Sequence, residues 1–104
     1  MLVFHPRKPT AGYRVDRDFA IMLSEWKIVP GTSRPDPNEI TDFNVLTMNA
    51  KAFPGTELQV AKVGDQVRIR FENLSAMDHH PIHIHGSYWK ITATDSRQIP
   101  VYAQ

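Results

Sequence analysis

The chain contains no cysteine. A disulfide framework, a thiolate nucleophile and a thiolate-bound zinc or copper therefore lie outside what its own side chains can supply. No apolar run approaches the ~20 residues that a membrane span requires. The opening Met1-Leu2-Val3-Phe4 meets His5-Pro6-Arg7-Lys8 at once, too short for the apolar core of an export signal, so no signal peptide is visible. Charge of one sign is not in excess either. Twelve Lys+Arg against 11 Asp+Glu leave a net charge of +1, which gives no ground for nucleic acid or an anionic membrane as a partner.

What is present is a globular composition, 41% hydrophobic and 22% charged, in 104 residues, enough for one domain or part of one. A chain of this size buries only about two-thirds of its unfolded surface, so it depends on a real core or on a partner. Eight prolines and several Gly/Asn/Asp clusters cut it into short pieces, and no stretch holds a helical apolar period for three turns. The pieces read as strands. Phe19 to Val29 sets Phe19, Ile21 and Leu23 on one face and Ala20, Met22, Trp26 and Ile28 on the other. Pro30 to Asn38 is a loop of turn formers, an excursion rather than a domain boundary. Phe43 to Met48 is the next strand, followed by a turn at Asn49-Ala50-Lys51 and a bend at Phe53-Pro54-Gly55. After a Gly64-Asp65 turn, Val67, Ile69 and Phe71 alternate with Arg68, Arg70 and Glu72, the pattern of a half-buried antiparallel strand with a solvated outer face. Tyr88 to Thr94 is a last strand that groups Trp89, Ile91 and Ala93. Short strands at turn-separated spacing predict an all-β sandwich of seven or so strands.

Four of the five histidines fall in His79-His80-Pro81-Ile82-His83-Ile84-His85-Gly86. With a period of two, His83 and His85 share one face of an extended segment, about 7 Å apart along it, and Ile82 and Ile84 take the other. Two imidazoles so placed can aim at one metal or at neighbouring metals. His80 has the opposite parity and points away from the pair, its freedom limited by Pro81. Gly86 lets the backbone bend sharply after the pair. Imidazole suits zinc, copper, nickel and iron alike, so the donors alone do not name the ion. No carboxylate follows the pair at short spacing, which argues against a cupin-type site. His79 reads as a solvated loop residue, and His5, beside a proline, as no ligand. Trp26, Trp89, Met48 and Met77 read as packing residues rather than as an electron route or axial ligands.

The segment His80-Pro81-Ile82-His83-Ile84-His85-Gly86 resembles the His-Pro-x-His-x-His-Gly motif of the multicopper oxidases, the laccase-like family built from cupredoxin domains. Weaker likeness runs through Asp16-Arg17-Asp18-Phe19, Leu23-Ser24-Glu25-Trp26, Phe43 to Pro54 and Val63 to Arg70. Together these cover about residues 16 to 95 and match best the second domain of the small two-domain bacterial enzymes. The resemblance implies copper, with His80 a ligand of the electron-accepting type 1 ion and His83 and His85 ligands of the type 2 and type 3 ions. Zinc or nickel can take the same donors in vitro.

That resemblance also sets the remaining expectations. The fold is expected to be a cupredoxin-like Greek-key β-sandwich, incomplete at the C-terminus, because the family's His-Cys-His segment has no counterpart before the sequence stops. Residues 1–10 read as a remnant strand or linker resembling the end of a preceding cupredoxin domain, and 11–104 as the partial domain. Asn49-Ala50-Lys51 stands where the family often has Asn-Gly-Lys, and Ser87 departs from the commoner residue after Gly86. Without cysteine and with few of the family's histidines, complete oxidase activity is not expected of this chain alone. An inter-subunit histidine copper cluster, or an assembly module with relic histidines, are the competing readings. An open sandwich edge predicts a homo-oligomer. The family is mostly periplasmic or secreted.

Overall fold

The computed structural model describes residues 1–100. Its longest element is β1 (Arg17–Trp26), followed by β2 (Val45–Met48), β3 (Val67–Asn73), β4 (Ala93–Thr94) and β5 (Arg97–Gln98). Among the described residues there is no helix, as the missing 3.6-residue period requires. Five strands form among the described residues, where seven or so were expected of the chain. Of the stretch Tyr88 to Thr94 only Ala93–Thr94 pairs, with Arg97–Gln98 across a two-residue turn. An alternating pattern becomes a strand only where a neighbour completes its ladder; Thr92 O accepts from Ile99 N–H, and residues 88–91 have no ladder partner among the described residues.

β1 is the centre of a three-stranded sheet ordered β2-β1-β3. β2 runs antiparallel to it, with Leu23 opposite Met48 and Trp26 opposite Val45. Two asparagines extend that ladder with their side chains. Asn44 Oδ1 accepts from Ile28 N–H while its Nδ2 donates to Ile28 O, and Asn49 does the same with Met22 N–H and Ala20 O. The loop after β1 folds back on itself, with an isolated bridge between Ile28 and Pro35 and Asp36 N–H donating to Lys27 O. It is the excursion that its turn formers predict. The bend at Phe53-Pro54-Gly55 is present as well, closed by Gly55 N–H on Ala52 O around a cis Phe53–Pro54 bond.

β3 corrects the sequence reading twice. It lies parallel to β1, from Arg17 opposite Val67 to Leu23 opposite Asn73, not antiparallel to its neighbour. Alternation tells which side chains share a face and carries no information on direction. Direction is set at the turn instead. Gly64, at φ +94°, closes Lys62 to Asp65, and Gln66 then donates to Asp16 Oδ2 and accepts from Asp16 and Arg17 N–H, so both strands start from one end. The charged face is also less solvated than expected. Asp18 on β1 takes Arg70 through Nε and Nη2, each at 2.8 Å, and Arg68 through Nη1 at 3.2 Å. Arg68 further donates to Tyr13 O, and its guanidinium lies 4.6 Å over the Tyr13 ring.

The opposite face carries the core, and it is thin. Ile21 and Leu23 are its buried hydrophobic side chains; Val67, Phe71, Leu46 and Met48 remain largely exposed. Trp26 and Trp89 do not sit in a core. Both are about two-fifths exposed, at 38% and 41%, Trp26 donating to Thr47 Oγ1 and Trp89 edge-on to Phe71. Met48 and Met77 are exposed too. Residues 1–10 form no strand, and the Met1 amino group rests 3.5 Å from Glu72.

Candidate metal centre

The histidine segment is reached from the C-terminal end of β3, and one carboxylate shapes the approach. Glu25 stands on the buried face of β1 after Ile21 and Leu23, its side chain closed off from solvent. Its Oε2 accepts N–H groups from Ala76 at 3.1 Å and Met77 at 3.3 Å, and its Oε1 accepts from Asp78 at 3.1 Å. Burial by itself would push this carboxyl up, but the Met77, Asp78 and Ala76 N–H groups outweigh it and hold Glu25 below the ordinary glutamate range. Asn73 completes the turn, accepting from Ser75 N–H and donating to Asp78 O.

This loop delivers His80 to a defined place. Its Nε2 is 2.6 Å from Ser75 Oγ and 3.9 Å from Glu25 Oε1, and it is half-buried. His79 is exposed, as a solvated loop residue should be. Residues 81–84 then run without a ladder partner among the described residues, so the extended segment expected there lies in a loop.

His83 and His85 are nonetheless adjacent. Their ring centroids lie 4.7 Å apart at an interplanar angle of 87°, and both residues are exposed. Gly86 follows at φ +77°, a left-handed conformation that a side chain would strain. The structure thus brings His83 and His85 together, while His80 lies against Ser75 and Glu25. His5 is elsewhere again, its Nδ1 3.0 Å from Tyr13 Oη.

The spacing of the pair bears on whether a copper ion fits. An imidazole nitrogen binds such an ion at about 2.0–2.1 Å, so two rings on adjacent coordination positions have centroids roughly 4.5–5 Å apart. The 4.7 Å separation of His83 and His85 lies in that range. No group of three or more His, Cys, Asp or Glu side chains capable of holding a metal gathers among the described residues. The pair therefore fits two positions of an ion, and no third such donor stands beside it in this arrangement of the described residues.

Sequence reasoning singled out the histidines and missed what positions them. Glu25, Ser75 and Asn73 had no role assigned. The usable signal was Glu25 itself, a carboxylate in phase with Phe19, Ile21 and Leu23, since a charge on a buried strand face needs several donors there.

Comparison with known proteins gives the family of the chain. Residues 30–103 match a family model described as multicopper oxidase, a span that takes in β2, β3 and the whole histidine segment. No curated protein and no solved structure matches the chain. A match over most of the sequence, on strands without helices, places the chain in the multicopper oxidase family as an all-β, cupredoxin-like domain.

Proposed function

We propose that this chain is a copper-binding, Greek-key cupredoxin-like domain that binds the ion through His83 and His85, with His80 as a further donor, and does not by itself complete an oxidase. The observation that carries the reading is the adjacency of the two exposed imidazoles at 4.7 Å within a segment matched by the multicopper oxidase model. Copper supplies one-electron redox chemistry when bound. The protein's part is to hold two neutral imidazoles side by side, with Gly86 bending the chain behind them and Glu25 fixing the loop in front. His80 joins only by releasing Ser75 from Nε2 or by offering Nδ1. The sequence contains no cysteine, so it offers no thiolate to a type 1 ion.

Calorimetry with Cu(II), followed by electron paramagnetic resonance of the loaded protein, tests this directly. The expected result is binding with nitrogen hyperfine structure that His83→Ala and His85→Ala each weaken at least tenfold. Binding unchanged in both variants would refute the assignment.

A second reading has one observation in its favour. The Ser75 and Glu25 neighbours of His80 are those of a structural histidine. If His80→Ala lowers the melting temperature and leaves copper affinity unchanged, His80 is structural and the ion rests on the pair alone. Chelator-sensitive oxygen uptake with a phenolic donor would instead favour a functional inter-subunit copper cluster.

A further inference from the structure

β3 ends its sheet, and its open edge has a definite phase. Gln66 O accepts from Asp16 and Arg17 N–H, and Leu74 N–H donates to Leu23 O, so the even-numbered backbone groups face β1. The N–H and C=O groups of Val67, Ile69, Phe71 and Asn73 therefore point outward, along an edge that no strand pairs among the described residues. Val67 and Phe71, which share the apolar face, are 42% and 37% exposed.

The molecule as a whole carries surplus surface. It exposes 9157 Å² at a mass of 11.9 kDa, where a folded monomer of that mass exposes about 5,900 Å². Its radius of gyration is 16.6 Å against about 13 Å for a compact chain of this length. The surplus of about 3,000 Å² exceeds the roughly 800 Å² that each partner gives to a stable interface.

We infer that β3 pairs antiparallel with β3 of a second copy about a twofold axis at Arg70, joining two three-stranded sheets into one of six strands. The inference is independent of the copper reading. Opposite residues in such a ladder share a face, so the residue numbers of each pair must sum to an even value. The sum of 140 aligns all seven residues of β3. Val67 then faces Asn73, Ile69 faces Phe71, and Arg68 faces Glu72, twice each by symmetry. Centring on Ile69 would set Arg68 against Arg70, and centring on Phe71 would set Arg68 against Leu74. Arg70 meets its own copy, each guanidinium held back on its own Asp18 by two hydrogen bonds of 2.8 Å. Glu72 supplies the acidic side of the Arg68 pairing. Its Oε2 is a buried side-chain oxygen with no hydrogen-bond partner among the described residues, although the Met1 amino group lies 3.5 Å away. The register brings the second copy's Arg68 to the residue that carries it.

The test is sedimentation equilibrium at tens of micromolar with chelator present, so that metal does not contribute. The expected mass is twice 11.9 kDa. Glu72→Lys opposes like charges in its own dimer and is expected to run as a monomer, as is Arg68→Glu. Mixed, the two variants restore both attractive pairs and are expected to associate. Because Arg68→Glu also loses Asp18, an introduced cysteine supplies a second arm against a cysteine-free background. Oxidised Arg70→Cys is expected to give a disulfide dimer, since the Arg70 pair is the close, non-hydrogen-bonded kind. Val63→Cys, on an exposed turn, is expected to give none. A wild-type monomer, a Glu72→Lys chain that dimerises like wild type, or equal cross-linking at both cysteines would overturn the inference.

Discussion

Ala50 occupies a position that its side chain resists. Asn49 and Ala50 have φ of 52° and 62°, and Met48 and Lys51 exchange backbone hydrogen bonds across them, which is a type I′ turn. Asparagine tolerates the left-handed region and alanine does so at a cost of about 1–2 kcal/mol. Glycine removes that strain and adds back part of it as unfolded-chain entropy. Ala50→Gly is therefore expected to stabilise the protein by about 0.5–1 kcal/mol, read as a rise in urea midpoint at constant slope. Asn49 and Gly64 were legible as turn residues from sequence, because a local preference needs no partner to show itself. The partners of Glu25 were not legible, since they are three amides at Ala76, Met77 and Asp78, more than 50 positions away.

Among the elements, two carboxylates on β1 tie it to later parts of the chain. Glu25 holds the loop that leads to His80. Glu25→Gln keeps the shape but loses an acceptor for those donors, and exchange of the Ala76, Met77 and Asp78 amides is expected to quicken relative to the β1–β2 ladder. Asp18 holds β3 instead. Its hydrogen bond from Arg70 lies foremost among the causes that keep its carboxyl below the usual aspartate value of 3.8, with Arg68 adding to it. A depressed carboxyl contributes stability above its unfolded pKa, and that stability is lost as pH falls through the folded value. Asp18→Asn is expected to cost about 0.5–1 kcal/mol at neutral pH, the range for partly screened ion pairs. The gap between variant and wild type closes below about pH 4, where the unfolded carboxyl begins to hold its proton, as urea unfolding across pH 7 to 2 would record. The alternation in β3 disclosed its two faces and not its direction, because both pairings place side chains identically. The His83–His85 pairing came through even though the expected strand did not form.

At the scale of the molecule, stability rests on few atoms. Ile21 and Leu23 are the hydrophobic side chains buried among the described residues. Leu23→Ala removes about 2–4 kcal/mol, a large share of the stability of a domain this small. Loss of a cooperative thermal transition by circular dichroism is the expected outcome. The all-β class was readable at this scale because absence of a helical period is a property of the whole sequence. The thinness of the core was not, since apolar residues such as Leu46 and Val67 show in composition but not whether anything covers them.

The parallel pairing of β1 with β3 has a last consequence, in time rather than space. Asp16 and Gln66, which join the starts of the two strands, are 50 residues apart. A chain emerging from the ribosome at about 5–20 residues per second exposes β1 for seconds before its parallel neighbour exists. During that interval β2, among the described strands, is the one able to shelter it, through an antiparallel pairing of four residues. Closing so long a loop also slows spontaneous folding relative to chains that pair with their near neighbours. The nascent sheet thus passes through an adhesive, half-built stage each time it is made.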